Sequence, residues 1–506
     1  MQTDAENLVP RAHIYPSGCV FKNPQEIEGK KITVMGLGLN GGGEASVRYL
    51  LSKGAFVTVT DMKSEAELSP TLERIFADST LDFSRLTLHL GGHKIEDFSE
   101  ADCVIKNPGV KFDGNVYLSK ARAIETDISL FLAFTNSPII AVTGSKGKSS
   151  TVSAIHFGLC EAGFTAFLGG NITVSPLTFL EKTNKNTPVV LELSSWQLAD
   201  LRGRNLLKPK VSVITKIVPD HQNFYHSMIA YVADKKIIFQ DQTKSDFSIF
   251  DFDDDEAADG GTLIKNWGDI FARESKAKVL RYSKIPLPNG TEGAFFKNGD
   301  GIVRFNGRED KVLGELLTPG THIRTNALNA ALVLKIFGVD SSRILEILGK
   351  WKGIEHRLEF FHEWQNSKFY NDSAATVPES AAAAAKSFAR PVVLICGGTD
   401  KGLDLSPLSN SLANSGKLFP AAIFMLSGTA TDKLQKLFES QKIKIDGVFD
   451  SLFDLLCALK KSFENAKIAR GTPVVFSPGA TSFGMFKNEF DRGNTFKKNV
   501  REIFVD

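Results

Sequence analysis

The chain has 506 residues, and its 60 lysines and arginines against 58 aspartates and glutamates give a formal net charge of +2. With 42% hydrophobic and 23% charged residues, the composition excludes a chain that is disordered as a whole, and the balanced charge excludes a polycationic nucleic-acid binder. No apolar run approaches the roughly 18 residues that indicate a membrane span. At roughly 150 residues per domain, the length favours about three domains.

The start of the sequence and the cysteines both indicate the cytoplasm. Residues 1–31 are polar and lack the apolar segment of a secretory signal. The five cysteines are widely spaced without a C-x-x-C pair, which favours reduced thiols over a disulfide framework or a zinc site. We therefore expect a cytoplasmic protein.

Short apolar runs alternate with amphipathic segments along most of the chain, a pattern typical of α/β units with parallel sheets. The predicted strands fall into three blocks: 31–35, 56–60 and 103–106; then 138–142, 189–193 and 211–215; then 392–396, 422–426 and 474–476. The clearest predicted helices are 44–53, 378–388 and 451–465. The blocks predict an α/β fold with domain boundaries near residues 137 and 353.

The strongest motif is the segment GSKGKS at 144–149, which lies between a predicted strand and a predicted helix. Glycines let backbone amides turn toward a phosphate, and the N-terminus of the following helix adds a positive dipole end. Lys148 would contact the β- and γ-phosphates of a nucleotide, and the Ser149 hydroxyl would bind Mg²⁺. The loop is shorter than the Walker pattern. A surface turn is the alternative, which the strand–loop–helix context disfavours.

A second glycine-rich segment, GLGLNG at 36–41, follows the first predicted strand, and Asp61 ends the next strand 20 residues after Gly41. This spacing is typical of a dinucleotide-binding fingerprint, although the same geometry cradles any pyrophosphate. The segment therefore predicts a site for a nucleoside diphosphate group. Nothing else in the sequence supports a nicotinamide cofactor.

Three further residues should face the phosphate loop. Glu192 ends one predicted strand and His221, directly after Asp220, follows the end of another, so both strand ends should face the loop. Lys235 lies on the next predicted helix. A carboxylate at this edge would suit Mg²⁺, whereas a histidine is a less usual ligand for it. Each residue alone is more often structural, and a lysine on a helix is usually solvated.

Together these segments resemble the Mur ligase family. The similar segments are AVTGSKGKSS at 141–150, GGNI at 169–172, LELSSWQ at 191–197, DH at 220–221, Tyr231-x-x-x-Lys235, TNA at 325–327, HR at 356–357, NDS at 371–373 and SPGATS at 477–482. They follow the family's order from about residue 31 to the end. The segments LELSS, 36–41, FKN at 486–488 and DRGN at 491–494 most resemble those of the members that add D-glutamate.

The resemblance implies three domains, each built on a mainly parallel sheet. A Rossmann-like UDP-sugar-binding domain would occupy 1–137, a P-loop ATPase-like domain 138–353, and a mobile Rossmann-like domain binding the amino acid 354–506. It also implies a step of peptidoglycan precursor synthesis. ATP would phosphorylate the carboxylate of UDP-N-acetylmuramoyl-L-alanine, and the D-glutamate amine would then attack the acyl phosphate, with ADP and phosphate as products. The implied partners are these small molecules, without nucleic acid or a membrane span, and we expect a monomer.

The same resemblance implies the site residues. The ATP-binding positions are Gly144, Ser145, Lys146, Gly147, Lys148, Ser149, Ser150, Asn326, Arg357 and Asp372. The positions for the UDP-linked substrate are Leu39, Asn40, Asp61, Asn107, Gly109 and Asn171. The positions for D-glutamate are Thr376, Lys401, Ser482 and Phe483. The implied ligands of two Mg²⁺ ions are Ser149, Glu192, His221 and Lys235. Lys235 would carry a CO₂-derived carbamate, because an ammonium repels Mg²⁺ whereas a carbamate offers anionic oxygens. The implied catalytic residues are Lys148, Glu192, His221 and Lys235.

The sequence departs from the family's pattern at a few positions. Lys146 replaces an Asn of the phosphate loop, and Ile323 replaces an Asn that helps to bind the nucleotide. Ala374 replaces a Lys, and Glu489-Phe490 reverses a Phe-Glu order near the amino-acid pocket. These changes leave the reaction class intact and concern how the acceptor amino acid is held.

Two alternatives stay open. Within the class, the chain could be another Mur-family ligase or a folylpolyglutamate synthetase-like ligase, although the Asp-Asn-Pro-Arg-type motif of the diaminopimelate- or lysine-adding members is not found. From another class, it could be a Rossmann oxidoreductase or a nucleotide-sensing protein that uses 36–41 as its main site. Neither an oxidoreductase nor a nucleotide-sensing protein needs the ATPase centre that Lys148, Glu192 and Lys235 indicate.

Overall fold

The structure is a computed structural model that describes residues 15–253, 257–259, 262–264 and 267–505. The chain divides into two compact units, one formed by Met1–Gly314 with Thr325–Ile347, the other by Glu315–Arg324 with Leu348–Asp506. Among the described residues, no helix is long and apolar enough to cross a membrane.

The first sheet has five parallel strands in the order β3-β2-β1-β4-β5. Its strands are β1 (Lys31–Met35), β2 (Phe56–Asp61), β3 (Leu86–Leu90), β4 (Cys103–Lys106) and β5 (Ile124–Glu125). The accompanying helices are α1 (Gly42–Ser52), α2 (Glu65–Phe76), α3 (Glu96–Ser99) and α4 (Asp127–Phe134). The order reverses between β1 and β4, and ligands of such sheets bind at the strand ends beside this switch point.

The second sheet has nine strands in the order β16-β15-β14-β13-β10-β9-β6-β8-β7. The strands of this region are β6 (Ile139–Thr143), β7 (Phe167–Gly170), β8 (Val189–Glu192), β9 (Val211–Ile214), β10 (Phe247–Asp251), β11 (Ala257–Asp259), β12 (Thr262–Ile264), β13 (Lys278–Ser283), β14 (Gly293–Lys297), β15 (Asp300–Phe305) and β16 (Arg308–Leu313). The helices are α5 (Lys148–Glu161), α6 (Ser195–Ala199), α7 (Gln222–Tyr225), α8 (Met228–Gln240), α9 (Trp267–Glu274), α10 (Thr321–Ile336) and α11 (Ser341–Gly349). Strands β11 and β12 form a separate antiparallel pair.

The first two sheets belong to one unit and share a hydrophobic core, to which both Ile32 of β1 and Leu191 of β8 contribute. Buried ions also join them: Lys106 pairs with Asp200 at 2.8 Å, and Arg204 pairs with Glu125 at 2.6 Å. Buried ions are costly unless paired, so these pairs require the two parts to keep a fixed geometry. A site at their junction therefore has rigid walls.

The third sheet forms the second unit and has the order β17-β18-β22-β19-β20-β21, in which only β17 and β18 are antiparallel. Its strands are β17 (Glu359–Trp364), β18 (Ser367–Asn371), β19 (Val393–Gly397), β20 (Ala422–Leu426), β21 (Gly447–Phe449) and β22 (Val474–Phe476). Its helices are α12 (Pro378–Lys386), α13 (Ser406–Ala413), α14 (Thr429–Ser440), α15 (Leu452–Glu464) and α16 (Glu489–Ile503). Along β19, Leu394 belongs to one core cluster and Val393 and Ile395 to another, so helices cover both faces of the sheet.

The predicted fold class is confirmed: the chain is α/β with three mainly parallel sheets. All nine predicted strands are present, with ends that differ by at most one residue. The sequence analysis did not anticipate the antiparallel strands β15 and β16 at the edge of the second sheet. The domain boundaries near 137 and 353 stay predictions.

Candidate nucleotide and substrate site

The segment at 144–149 connects β6 to α5 and packs closely against its neighbours. Gly144 has φ +145°, and a Cβ there would lie 2.0 Å from Thr215 Oγ1. Gly147 has φ +94°, and a Cβ there would lie 2.6 Å from Asn326 Oδ1. Both positions therefore need glycine for conformation and for space. The same contact brings Asn326, a predicted ATP-binding residue, to the loop.

Lysines and hydroxyls fix the loop from both sides. Lys148 Nζ donates to the carbonyl oxygens of Gly144 and Ser145 at 3.0 and 3.1 Å, which holds its charge over the loop. Ser145 Oγ donates to Val218 O at 2.8 Å and accepts from Tyr231 OH at 3.1 Å. Ser149 and Ser150 lie in the first turn of α5 and are half-buried. These hydrogen bonds hold the loop at the N-terminus of α5, where backbone amides and the helix dipole favour a phosphate group.

The unusual Lys146 is largely exposed, and its Nζ lies 3.3 Å from Asp220 Oδ2. The pairing with this lysine helps to lower the pKa of Asp220, whose carboxylate stays charged beside the loop. The pair places one positive and one negative charge beside the phosphate loop. Asp220 directly precedes the predicted ligand His221, and the sequence analysis placed this Asp-His pair at the same strand end.

Glu192 is the C-terminal residue of β8 and is 1% exposed. Its Oε1 accepts from Asn171 Nδ2 at 2.9 Å, while Oε2 has no hydrogen-bond partner among the described residues. A buried carboxylate oxygen without a partner is costly, typically about 1–3 kcal/mol or more for a charged group. The free oxygen therefore fits a bound cation.

Lys235 lies on α8 and is 1% exposed, contrary to the usual solvated lysine. Its Nζ donates to Gly144 O at 2.9 Å and lies 4.4 Å from the centre of the Tyr231 ring. Burial, reinforced by the charge of Lys148, lowers the pKa of Lys235 to about 7. A neutral amine is consequently accessible near neutral pH. Tyr231 stands one helical turn before Lys235, a spacing that could have suggested the shared face.

His221 lies between β9 and α7 with φ +52°, a conformation that is uncommon for a residue other than glycine. Its ring packs against Trp196 and Tyr231, with centroid distances of 5.1 and 6.3 Å. The backbone conformation and the two aromatic neighbours together fix the position of the imidazole.

Among the described residues, no three or more His, Cys, Asp or Glu side chains form a ready-made metal site. The predicted ligands Ser149, Glu192, His221 and Lys235 stand on separate elements around the phosphate loop. Mg²⁺ prefers oxygen ligands and retains waters and phosphate oxygens, so Glu192 and a serine hydroxyl fit it. An unmodified lysine does not, whereas a carbamate on Lys235 would.

A cavity of about 240 Å³ opens beside this centre, between the first and second sheets. Four predicted positions for the UDP-linked substrate line it: Asn40, Asn107, Gly109 and Asn171. The other two do not. Asp61 accepts from the backbone amide of Gly38 at 3.1 Å and so shapes the glycine-rich segment, while Leu39 is about half exposed. Asn171 also bonds Glu192, and β8, which ends at Glu192, pairs with β6, which leads into the phosphate loop. The cavity and the loop are therefore adjacent.

The remaining predicted residues belong to the second unit. Asp372 Oδ2 accepts from Ser477 Oγ at 2.6 Å and Oδ1 from the Leu358 amide at 3.1 Å, and burial raises its pKa to about 7. Arg357 follows His356, which has φ +63°.

The positions predicted to hold D-glutamate lie on loops of this unit. Lys401 Nζ donates to Thr376 Oγ1 at 3.4 Å, which brings two of these positions together. Ser482 is buried and Phe483 exposed, and the carbonyl of Phe483 accepts from the Thr399 hydroxyl. The four positions thus combine one cation, two hydroxyls and an apolar ring.

Two family models match the chain: "Mur ligase MurD-like, N-terminal domain" over residues 30–129 and "Mur ligase middle domain" over residues 142–334. The UDP-N-acetylmuramoylalanine–D-glutamate ligase of Treponema pallidum (strain Nichols) is 38% identical, with 94% of this chain and 98% of the relative covered. The ligase of the same name from Borreliella afzelii (strain PKo) is 41% identical, again with 94% and 98% covered. The chain therefore belongs to the Mur ligase family.

Among solved structures, a UDP-N-acetylmuramate–alanine ligase from Thermotoga maritima is similar with a TM-score of 0.52 at 19% identity, covering 94% of this chain and 99% of that chain. This likeness concerns the fold. Family membership confirms the predicted class, an ATP-dependent ligase. The roles of individual residues stay predictions.

Proposed function

We propose that this chain joins D-glutamate to UDP-N-acetylmuramoyl-L-alanine at the expense of ATP, as a cytoplasmic step of peptidoglycan precursor synthesis. The observation that carries the proposal is the phosphate loop, with Lys235 bonded to Gly144, Glu192 at the end of the neighbouring strand β8, and the substrate cavity next to Glu192. Curated relatives that match nearly the whole chain carry this activity in their names. Substrates of this size need no second subunit in the site, and we propose that the enzyme acts as a monomer.

The reaction consists of two displacements. A carboxylate oxygen of the alanyl group attacks the γ-phosphorus of ATP, and the bond to ADP breaks. The amine nitrogen of D-glutamate then attacks the acyl carbon, loses a proton, and phosphate leaves with its bonding electrons. Both steps concentrate negative charge, so positioned cations and backbone amides supply most of the catalysis.

The loop residues have separable tasks in the first step. The amides at the N-terminus of α5 and the ammonium of Lys148 hold the β- and γ-phosphates, and Lys146 adds a second positive charge at the rim. Asn326, whose side chain lies against Gly147, would orient the nucleotide. Asn171 holds Glu192 in place from the cavity side. When bound, Mg²⁺ supplies electrostatic stabilisation of the charge on the transferring phosphoryl group.

Ser149, Glu192, His221 and Lys235 would hold two Mg²⁺ ions, provided that Lys235 is carbamylated. The neutral amine adds to the carbon of CO₂ and loses a proton, leaving an anionic oxygen ligand. A pKa of about 7 supplies the neutral amine that this addition requires. The burial of Lys235 therefore supports the modification.

The second unit supplies the groups proposed for the acceptor amino acid. Lys401 and Thr376 offer a cation and a hydroxyl for a carboxylate, and Ser482 offers a further hydroxyl. The exposed ring of Phe483 would cover the apolar part of the glutamate chain. Arg357 and Asp372 of the same unit are proposed to contact ATP.

Phosphate release from ATP in the presence of UDP-N-acetylmuramoyl-L-alanine, measured with and without D-glutamate, tests this function. We expect turnover that requires both the UDP-linked substrate and D-glutamate, with L-glutamate, diaminopimelate and lysine inactive. Faster product formation with another amino acid would contradict the specificity. Turnover with folate-type acceptors alone would favour the folylpolyglutamate synthetase-like alternative.

A further inference from the structure

Trp196 is the second residue of α6 and is one of the residues that line the cavity. A capping box fixes the first turn of α6: Ser194 Oγ accepts from the Gln197 amide at 3.2 Å, and Gln197 Oε1 accepts from the Ser194 amide at 3.0 Å. The indole packs against His221 and Phe224 at centroid distances of 5.1 and 5.4 Å. Backbone and ring contacts thus hold the indole in one orientation.

The indole nitrogen of Trp196 is buried and has no hydrogen-bond partner among the described residues. An indole N–H can only donate, and leaving such a donor buried without an acceptor is unfavourable. Three other polar residues of the cavity wall already have partners in the protein. Asn171 donates to Glu192, Asn107 donates to Gly36 O, and Lys106 pairs with Asp200. The Trp196 N–H is therefore available to a bound molecule.

The position of Trp196 defines which part of a bound molecule it can reach. Trp196 contacts His221, and Asn171 in the same wall contacts Glu192, so this is the side of the cavity next to the phosphate loop. The substrate group that must come to this side is the one that ATP phosphorylates. Its alanyl carboxylate, amide and lactyl carbonyl are all oxygen acceptors, and an uncharged N–H suits them.

We infer that Trp196 is a substrate-binding residue whose indole N–H donates a hydrogen bond to an oxygen at the acyl end of the UDP-linked substrate. This role rests on the function proposed above. It assigns to Trp196 a contact with the acyl end of the substrate, distinct from the contacts that hold its UDP end. The contact exists before ATP reacts, so it contributes to substrate binding more than to the chemical step.

The variant Trp196→Phe removes the donor and keeps an aromatic ring against His221 and Phe224. We expect the KM for the UDP-linked substrate to rise about two- to tenfold, the range for one neutral hydrogen bond, with little change in kcat or in the KM for ATP. A structural role would instead lower the thermal midpoint and kcat. A raised KM with an unchanged kcat therefore indicates the binding role, whereas a lowered kcat and thermal midpoint indicate a structural role.

Indole NMR measures the contact directly in the wild-type protein. The chain has four tryptophans, so ¹⁵N-labelled tryptophan gives four indole signals, and the signal missing in Trp196→Phe identifies Trp196. We expect UDP-N-acetylmuramoyl-L-alanine, added without ATP, to shift that indole proton downfield. Trp267 is the matched control, because its Nε1 is also buried without a partner in the described part of the chain but does not line the cavity. Trp267→Phe should leave the KM unchanged.

Each outcome decides a different claim. Wild-type protein that neither binds nor turns over the UDP-linked substrate would overturn the proposed function, and this inference with it. Normal turnover with a stationary Trp196 signal, or with an unchanged KM in Trp196→Phe, would overturn the inference alone. If Trp196→Phe does not fold, phenylalanine variants of the other three tryptophans assign their indole signals, and a shift in the wild type confined to those three signals would still overturn the inference.

Discussion

Lys235 donates a hydrogen bond from Nζ to the carbonyl oxygen of Gly144 at 2.9 Å, although 91 residues separate the two in the chain. The contact brings a lysine with a pKa near 7 to the first glycine of the phosphate loop. Lys148 Nζ donates to the same carbonyl at 3.0 Å, so two ammonium groups converge on one oxygen. Converting Lys235 to an anionic carbamate would replace this repulsion by attraction.

We expect Lys235→Ala to be nearly inactive, and acetate or another short carboxylate to restore part of the turnover by supplying the missing oxygens. The neighbouring Lys236→Ala is the matched control, because Lys236 is half-exposed and pairs with Glu274 at 2.5 Å. Steady-state phosphate release measures both variants. Full activity of Lys235→Ala without added acid would show that Lys235 has only a structural role.

The pH dependence of activity follows from the lowered pKa of Lys235. With limiting CO₂, activity should rise between about pH 6 and about pH 8, because the neutral amine that reacts with CO₂ predominates only above a pKa of about 7. Added bicarbonate should increase activity most at the acid end. A profile that bicarbonate does not change, together with no carbamate signal in ¹³C NMR, contradicts the prediction.

Lys148→Ala should lower phosphoryl transfer by at least roughly a hundredfold, because the charge held over the loop by Gly144 and Ser145 would be lost. Single-turnover formation of ADP measures this step. The exposed Lys185→Ala is the control for loss of a lysine. Since Lys146 is the neighbouring lysine, Lys146→Asn combined with Lys148→Ala shows whether it compensates. Near-normal single-turnover rates in folded Lys148→Ala would refute the assignment.

Gly147→Ala should reduce ATP affinity as well as stability. The new Cβ would be strained at φ +94° and would meet Asn326 Oδ1 at 2.6 Å. Gly163→Ala is a close control, because Gly163 has φ +96° and nothing within 4 Å of the added Cβ. The positive φ costs both variants about 1–2 kcal/mol. Only Gly147→Ala should also raise the KM for ATP, and equal KM values would argue against contact of Asn326 with the nucleotide.

Lys497 should position the segment that carries Arg357. Its Nζ contacts Glu355 at 2.6 Å and Glu359 at 3.1 Å, and Glu359 in turn accepts from the His356 amide at 3.0 Å. We expect Lys497→Met to raise the KM for ATP several-fold, with Lys497→Arg retaining most of the affinity. The exposed Lys498→Met on the same helix is the control. A fall in thermal stability without a change in KM would mean that the contact is structural only.

Nine of the strands could be predicted from the sequence because parallel strands with both faces covered appear as short, continuous apolar runs. Strand β4, Cys103–Lys106, was placed to the residue, whereas β6 and β19 each begin and end one residue later than predicted. The parallel strands β3, β7 and β13 were not predicted, and neither were the antiparallel strands β15 and β16. Their mixed charged and apolar residues resemble a surface loop as much as an edge strand.

The candidate site could be predicted only where a local motif carried it. The loop at 144–149 needs one strand, a few glycines and one helix, all adjacent in sequence. The burial of Lys235 could not be predicted, because α8 is buried on most of its surface and its apolar residues do not mark one face. The pair of Lys146 with Asp220 and the free donor of Trp196 depend on how distant segments pack.

Strand β16 closes one edge of the nine-stranded sheet with the sequence Arg308-Glu309-Asp310-Lys311-Val312-Leu313. Its first four residues are charged, and a further strand added alongside would have to strip water from them. At the opposite edge, β7 has only four residues and ends in two glycines. Both edges are thus poor templates for pairing with another chain, which disfavours edge-to-edge aggregation of this nine-stranded sheet.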